Sequence, residues 1–246
     1  MTNDYRPPGG PVSTNFFAII VAGGSGSRMK SDVPKQFLRL NGKPILQHTI
    51  ERFLAVQGVG FHPESTEKST SLQLILVLPA RDLLTWEGLC EQHDFHPTIQ
   101  LVAGGSTRFQ SVRNGLNAID ASAGLVAVHD GVRPFVSPDI IRTSFETAAL
   151  TGSAVTCVPV KDSVRVVGAD GDSQAVDRSQ YRLVQTPQTF ELNSFRQAFQ
   201  ADEQPFFTDC ASVMEYAGYP ITLINGSYEN IKITTPEDLQ PPGGIL

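Results

Sequence analysis

The chain has 246 residues, of which 40% are apolar, so it can bury a full core and fits one domain of the larger α/β kind. Its 19 basic and 25 acidic residues give a net charge of −6, which argues against nucleic acid or a membrane surface as the main partner. Three widely spaced cysteines indicate neither a disulfide framework nor a zinc site. We find no secretory signal and no apolar run near the ~20 residues of a membrane span, and expect a cytoplasmic protein.

In chain order, residues 1–15 are polar and rich in Pro and Gly, which predicts a disordered leader, and one domain follows over 16–239 before a tail at 240–246. Apolar runs predict strands at Phe16–Val21, Leu72–Leu78, Ile99–Val102, Leu125–His129, Ala154–Val160, Ile221–Ile224 and Ile231–Thr234. Amphipathic spacing predicts helices at Ile45–Leu54, Arg81–His93, Arg108–Ala121, Pro138–Leu150, Leu192–Gln200 and Asp209–Tyr216. This alternation predicts an α/β fold with a parallel sheet wrapped by helices.

The first strand runs directly into a glycine-rich loop, Ala22–Ser27, and the cations Arg28, Lys30 and Lys35 follow within a few residues. Glycines allow positive φ angles and a close approach of a ligand to the backbone. Strand, glycine loop and cations together predict a cradle for a polyphosphate, in which backbone N–H groups and side chains converge on anionic oxygens.

Two familiar phosphate-binding motifs fail at one residue of this loop. Met29 stands where a dinucleotide fingerprint needs its third glycine, and also where a Walker A loop needs a glycine. What remains is Gly-Gly-x-Gly-x-Arg followed by Pro34-Lys35-Gln36-Phe37. This loop resembles the signature loop of the sugar-nucleotide transferases, although a plain glycine turn with solvated cations is the alternative.

Four polar clusters fall at the carboxyl ends of predicted strands or within the last one: the glycine loop, Gly104–Ser106, Asp130 and Lys232. Ligands of open α/β sheets bind beyond those strand ends, so we expect the four clusters to converge. Asp130 is the best candidate ligand for Mg²⁺, which binds through one or two carboxylates plus phosphate oxygens. A turn cap is the alternative for Asp130, and His129 is either a second ligand or a structural residue.

The sequence contains no arrangement of a nucleophile with a neighbouring base. Transfer onto a nucleotide α-phosphorus can instead proceed by positioning and electrostatic stabilisation, with the acceptor phosphate as nucleophile. Such a reaction needs several cationic side chains in one place and a metal ion. The clusters above contain the cationic side chains and, in Asp130, a candidate ligand for the metal ion.

The segment 161–182 interrupts the alternation of strands and helices. It is polar, with a short alternating run at Val164–Val167 and a turn rich in Gly and Asp. This pattern predicts a β-hairpin arm outside the main sheet, too short for a second domain. An arm without a core that carries Arg178, a residue suited to phosphate, indicates that a second copy of the chain completes the site.

Eight motifs in order extend the resemblance from residue 16 to 239: AGGSGSRM with VPKQF, GG-x-x-R-x-x-S at 104–111, HDGVRP, PVKDS, VDR, TPQTF, TDCAS and ENIKITTPEDL. Together they resemble the 2-C-methyl-D-erythritol 4-phosphate cytidylyltransferases of the non-mevalonate isoprenoid pathway. The resemblance implies a Rossmann-like, mostly parallel sheet with helices on both faces, Mg²⁺ as cofactor, CTP and a polyol phosphate as substrates, and a homodimer with exchanged arms.

The resemblance also implies a role for each matching residue. It implies that the catalytic residues at the CTP phosphates are Arg28, Lys35 and Lys232. The nucleotide contacts fall to Ala22, Gly23, Gly24, Gly26, Gly105, Ser106 and Ser111. The polyol phosphate contacts fall to Arg133, Ser163, Arg178, Thr186, Thr208 and Glu229, with Ser163 and Arg178 acting across the dimer. Asp130 would hold Mg²⁺.

Two alternative functions stay open on the sequence. Ribitol 5-phosphate cytidylyltransferases share the fold, the glycine loop and the NIKITTP ending, whereas TDCAS and VDR favour methylerythritol phosphate. A non-catalytic nucleotide-binding protein should lack one of Arg28, Lys35, Asp130 or Lys232, and all four are present.

Overall fold

The computed structural model of the chain describes residues 15–23, 33–57, 61 and 71–239. The strands are β1 (Phe16–Val21), β2 (Arg39–Leu40), β3 (Lys43–Pro44), β4 (Leu72–Leu78), β5 (Ile99–Ala103), β6 (Leu125–Asp130), β7 (Ser153–Pro159), β8 (Arg165–Val167), β9 (Ser173–Ala175), β10 (Arg182–Glu191) and β11 (Leu223–Asn225). The α-helices are α1 (Ile45–Leu54), α2 (Leu83–Gln92), α3 (Arg108–Asn117), α4 (Pro138–Thr151), α5 (Leu192–Ala198) and α6 (Cys210–Tyr216). The predicted leader, except residue 15, and the tail lie outside the described residues.

A seven-stranded sheet in the order β11-β7-β10-β6-β1-β4-β5 organises the described residues. Its neighbouring pairs are parallel except where β10 meets β6 and β7. The mostly parallel sheet that the sequence predicts is therefore confirmed. The strands β4 and β6 lie on opposite sides of β1, so the chain reverses its direction of winding there and opens a crevice beyond the carboxyl ends of β1 and β6.

Two hydrophobic cores lie on the two faces of this sheet. Along β1, Ala18 and Ile20 belong to one core and Phe17 and Ile19 to the other, because successive side chains of a strand point to opposite faces. The first core also takes apolar residues of α1, α2 and α4, and the second takes those of α3, α5 and α6. Helices on both faces explain why β1 reads as a continuous apolar run.

The sequence missed the longest strand, β10, which spans ten residues in the middle of the sheet. Pro187 argues against a central strand because proline cannot donate to the ladder. The structure accommodates it where the register of β10 against β7 shifts, between Val184 and Gln188.

The predicted strand at Ile231–Thr234 was wrong, because these residues form no ladder. The Ile233 amide donates to the Val132 carbonyl at 2.9 Å, and the Ile233 side chain is fully buried. The amides of Thr234 and Thr235 donate instead to Asp238 Oδ2, at 2.8 and 2.9 Å. A side-chain carboxylate thus satisfies amides that a strand would pair with a neighbour.

The hairpin arm predicted at 161–182 is present, since β8 and β9 form a separate antiparallel two-stranded sheet. Every residue of both strands is exposed, and Val166 and Val167 are 54% and 66% exposed. Across the described part of the chain, no helix has the length and apolarity to cross a membrane.

Candidate active site

Asp130 lies at the carboxyl end of β6, directly opposite Val21 at the end of β1. The next residue, Gly131, closes this corner, because its amide donates to the Val21 carbonyl at 2.8 Å. A Cβ atom on Gly131 would lie 2.6 Å from the Cβ of Ala22, so only glycine fits. Asp130 and the start of the glycine loop therefore share one corner of the crevice, as the strand order predicts.

Three cations surround the Asp130 carboxylate. Arg133 Nε and Lys232 Nζ each lie 3.1 Å from Oδ2, and Arg108 Nε lies 3.8 Å from Oδ1. We call these four residues the Asp130 cluster. Burial alone would raise the pKa of Asp130, but the positive charges of Arg108, Lys232 and Arg133 outweigh it and hold that pKa well below its usual range. The carboxylate is therefore ionised at every physiological pH.

A buried hydrogen-bond chain fixes the orientation of Asp130. Its amide donates to Thr186 Oγ1 at 3.0 Å, and Thr186 Oγ1 lies 3.0 Å from His129 Nδ1. His129 Nε2 lies 3.3 Å from the Arg133 carbonyl. Burial lowers the pKa of His129 to about 3, so the ring is neutral, donates through Nε2 and accepts the Thr186 hydroxyl at Nδ1. His129 is thus a structural residue of the corner, with both ring nitrogens occupied.

A second set of contacts brings Lys232 to the cluster without a strand. Arg133 Nη1 donates to the Asn230 carbonyl at 2.8 Å. The fully buried Asn230 donates through Nδ2 to the Thr186 carbonyl at 2.9 Å and to Gln185 Oε1 at 3.2 Å. The segment that carries Lys232 is therefore tied to β10 and to the loop after β6, and the predicted convergence of Lys232 with Asp130 is confirmed.

The cluster lines a cleft of about 280 Å³ between β6, β10 and the start of α6. Its lining residues are Arg108, Asp130, Arg133, Val184, Gln185, Thr186, Gln188, Thr208, Asp209 and Lys232. Five of these, Asp130, Arg133, Thr186, Thr208 and Lys232, are site residues that the sequence predicts. Arg108 was not among the predicted site residues, although it stands inside the GG-x-x-R-x-x-S motif. Its position one residue after the cap of α3 was the available signal.

The predicted nucleotide loop at 104–111 is folded back on itself. Ser111 Oγ accepts from the Gly105 amide at 3.2 Å and donates to the Thr107 carbonyl at 2.8 Å. The amide and hydroxyl of Ser106 both donate to Gln110 Oε1. A Cβ atom on Gly105 would lie 2.3 Å from Gln110 Cβ, so this turn requires glycine. Ser111 therefore shapes the loop through these two hydrogen bonds, and the residue is only 6% exposed.

At the other glycine loop the described residues end at Gly23 and resume at Val33. The Ala22 amide donates to the Val77 carbonyl at 3.0 Å, which anchors the start of the loop between β1 and β4. The predicted site residues Gly24, Gly26 and Arg28 lie outside the described residues. Lys35 begins a short 3-10 helix, Lys35–Phe37, whose Gln36 donates to Asp82 Oδ2 at 3.1 Å.

Three of the predicted polyol phosphate contacts stand apart from the cleft lining: Ser163, Arg178 and Glu229 are exposed and are not among the described residues that form its wall. Arg178 Nη1 contacts the Lys161 carbonyl at the base of the arm. Lys161 Nζ in turn lies 3.4 Å above the Tyr228 ring. The arm base is thus attached to its own chain, whereas Arg178 does not reach the chain's own cleft wall.

Comparison with known proteins gives one consistent result. A family model described as 2-C-methyl-D-erythritol 4-phosphate cytidylyltransferase matches residues 16–246. A protein of that name from Bacteroides thetaiotaomicron is 46% identical over 228 residues, which are 93% of this chain and 98% of the relative. Another from Porphyromonas gingivalis is 46% identical over 224 residues, covering 91% of this chain and 94% of the relative.

Solved structures agree with the sequence relatives. The crystal structure of 4-diphosphocytidyl-2C-methyl-D-erythritol synthase from Anaerococcus prevotii matches with a TM-score of 0.75 at 27% identity, covering 93% of this chain and 94% of that one. That of Francisella tularensis 2-C-methyl-D-erythritol 4-phosphate cytidylyltransferase matches with a TM-score of 0.70 at 30% identity, covering 92% and 96%.

Proposed function

We infer that the Asp130 cluster is the centre of a cytidylyl-transfer site, because this chain belongs to the 2-C-methyl-D-erythritol 4-phosphate cytidylyltransferase family. The enzyme transfers CMP from CTP to 2-C-methyl-D-erythritol 4-phosphate in isoprenoid precursor synthesis. The products are 4-diphosphocytidyl-2-C-methyl-D-erythritol and pyrophosphate. The match over nearly the full length of the relatives sets aside both ribitol 5-phosphate and a non-catalytic nucleotide-binding protein.

The chemistry requires one bond to form and one to break. A phosphate oxygen of the methylerythritol phosphate attacks the α-phosphorus of CTP, and the bond from that phosphorus to the bridging oxygen of the β-phosphate breaks as pyrophosphate leaves. Both substrates are anions, so the site must overcome their repulsion and stabilise negative charge on the α-phosphoryl oxygens and the leaving group. A covalent nucleophile from the protein is unnecessary, since positioning brings the two phosphates together.

The observation that carries this assignment is the sharing of one buried carboxylate by three cations. Asp130 holds Lys232, Arg133 and Arg108 together at the cleft. Lys232 is the most exposed of the three, with 38% of its side chain accessible, so it is the cation best placed to turn toward a phosphate. Arg133 is also bonded to the Asn230 carbonyl and acts as a fixed charge at the polyol phosphate.

For the nucleotide, we propose the residues of the two glycine loops. Arg28 and Lys35 join Lys232 at the triphosphate, since backbone and cationic side chains converge on phosphates at such loops. The residues that surround the nucleoside are Ala22, Gly23, Gly24, Gly26, Gly105, Ser106 and Ser111. The support from the structure is the anchoring of Ala22 beside Asp130 and the close turn at Gly105.

We propose Mg²⁺ as the cofactor, with Asp130 as its ligand from the protein. Among the described residues no group of three or more His, Cys, Asp or Glu side chains could hold a metal ion. A single ionised carboxylate at a phosphate site nevertheless fits Mg²⁺, which takes most of its remaining ligands from phosphate oxygens and water. When bound, the ion neutralises charge on the triphosphate. The three cations at Asp130 oppose metal binding until the triphosphate arrives.

We also propose a homodimer in which each arm serves the partner's site. An isolated two-stranded hairpin is marginally stable in water, and the strands β8 and β9 are exposed along their whole length. Ser163 and Arg178 are carried by this arm and do not line the cleft of their own chain. In a closed two-fold dimer, each arm can place Arg178 at the polyol phosphate of the other chain, while Thr186, Thr208 and Glu229 come from the chain that holds the cleft.

Pyrophosphate release tests the proposed function. The purified protein with CTP and Mg²⁺ should release pyrophosphate with 2-C-methyl-D-erythritol 4-phosphate and much less with ribitol 5-phosphate. Equal rates with the two acceptors would contradict the acceptor assignment, and no release with either would contradict the transferase.

A further inference from the structure

Gln188 lies within β10 and lines the cleft, yet it is only 1% exposed. It belongs to none of the contacts proposed above for CTP, metal or polyol phosphate. A buried amide is costly unless its donors and acceptor are satisfied, so its partners indicate what it is there to hold.

Those partners lie on one short segment of the chain. Gln188 Oε1 accepts from the amides of Cys210 and Ala211, both at 3.1 Å. Gln188 Nε2 donates to Asp209 Oδ2 at 2.9 Å. A third type of contact, from Nε2 to the Gln185 carbonyl at 3.3 Å, returns to β10 itself. One side chain thus ties the central strand to three consecutive residues at the beginning of α6.

These contacts complete the start of α6. The first amides of a helix have no partner within the helix. Asp209 caps the helix through its own carboxylate, which accepts from the Ser212 amide at 2.9 Å. Gln188 satisfies the two amides before that one, so the position of this helix start relative to β10 is fixed by a single side chain.

Thr208 stands immediately before this fixed point and lines the cleft together with the Asp130 cluster. Its amide donates to the Phe206 carbonyl at 2.9 Å within its own loop. We propose that Gln188 is a positioning residue for the polyol phosphate, acting through Asp209 and the α6 start to hold Thr208 in the cleft. This proposal rests on the proposed function, in which Thr208 contacts that substrate.

The test compares the KM for methylerythritol phosphate with the KM for CTP in the same variant. Gln188→Leu removes the donor and the acceptor, so the KM for methylerythritol phosphate should rise about tenfold, the effect of one misplaced hydrogen bond. The KM for CTP should change less than twofold. Gln47→Leu is the matched control, because Gln47 is also buried, at 4% exposure, but donates to Glu51 on its own helix α1. This control should keep both KM values.

A charge exchange keeps the proposal testable if Gln188→Leu does not fold. Gln188→Glu retains an acceptor for the two amides but sets a second carboxylate against Asp209, and should raise the same KM. Adding Asp209→Asn supplies an N–H to the new carboxylate and should restore that KM toward the wild-type value. Equal rises in both KM values, or a double variant no better than Gln188→Glu, would overturn the proposal. A wild-type protein without transferase activity would instead defeat the proposed function, so the two failures are distinct.

Discussion

Lys232 Nζ and Asp130 Oδ2 lie 3.1 Å apart in the cleft, although 102 residues of sequence separate them and Lys232 lies in no strand. The ion pair holds the cation at the site. Partial exposure of Lys232 leaves it able to exchange Asp130 for a phosphate oxygen, so its contribution should appear in the rate rather than in stability.

Lys232→Ala should therefore lower kcat by about 10²–10³, the effect of losing one preorganised charge at the transition state. Steady-state pyrophosphate release measures this change, and Tm should fall only slightly. Lys43→Ala is the matched control, since Lys43 pairs with Glu51 at 2.9 Å and is 47% exposed but does not line the cleft. A kcat that stays near the wild-type value in Lys232→Ala would remove this lysine from the catalytic set.

Gly131→Ala should disturb the nucleotide loop through a direct contact. The added Cβ would lie 2.6 Å from Ala22 Cβ and 3.1 Å from Leu46 Cδ1, so the corner must shift at a cost of about 1–3 kcal/mol. We expect a lower Tm and a KM for CTP raised about tenfold. Gly88→Ala is the control, because a Cβ there meets nothing within 4 Å and helix α2 gains propensity. A Gly131→Ala protein with wild-type Tm would show that the corner yields freely.

Mg²⁺ should bind measurably only together with the nucleotide. Asp130 alone offers one carboxylate that three cations already contact, so calorimetric titration of the free protein should give no Mg²⁺ binding, whereas the complex with a non-hydrolysable CTP analogue should bind it. EDTA should abolish turnover. Asp130→Asn should weaken activation by Mg²⁺, whereas Asp139→Asn, at an exposed ion pair with Arg142, should not. Undiminished turnover in chelator would rule out the metal.

The pattern of the sequence predicted the elements that carry long apolar runs. The strands β1, β4 and β6 are buried on both faces, so their apolar composition alone identifies them as strands. Because β1 and β6 are parallel neighbours in the sheet, Asp130 at the end of β6 lies beside Ala22, which directly follows β1. The strand β10 was not predicted because Pro187 interrupts it and because its first three residues, at the base of the arm, are exposed.

At the site, residues that stand directly at strand ends were predictable, whereas residues that arrive by side-chain contact were not. Asp130 follows an obvious strand. Arg108 reaches the cluster from the first turn of α3. Gln188 follows Pro187 in a polar segment whose sequence does not predict a buried strand. Lys232 was placed correctly but on a wrongly predicted strand, because the alternation at 231–234 reflects burial of Ile233 against Val132 and Phe135.

His129 should make the protein less stable in mild acid. Its folded pKa is about 3, below the unfolded value of about 6.5, so between these values the unfolded chain binds one more proton than the folded chain. The free energy of unfolding should therefore fall as pH drops, by about 1.4 kcal/mol per pH unit from this residue. Denaturant titrations from about pH 6 to 5, above the range in which the carboxyl of Asp130 titrates in the unfolded chain, should show a shallower dependence in His129→Gln. Identical slopes in the two proteins would contradict this account.

A shared active site should be detectable by complementation between two inactive variants. Lys232→Ala removes a cation of the cleft, and Arg178→Ala removes the arm cation, so each homodimer should be nearly inactive. In a mixed dimer with exchanged arms, one site carries both lesions and the other carries neither. Random exchange makes half of the dimers mixed, so recovery should reach about a quarter of wild-type activity.

The control for complementation pairs two lesions on the same side of the proposed site. Lys232→Ala mixed with Lys35→Ala leaves a lesion in both sites of every mixed dimer, because both lysines are proposed to act within the chain that holds the nucleotide. This mixture should recover nothing under conditions where subunit exchange is demonstrated with labelled chains. If the pair with Arg178→Ala also recovers nothing under those conditions, each chain builds its site alone, and the exposed hairpin must serve another purpose.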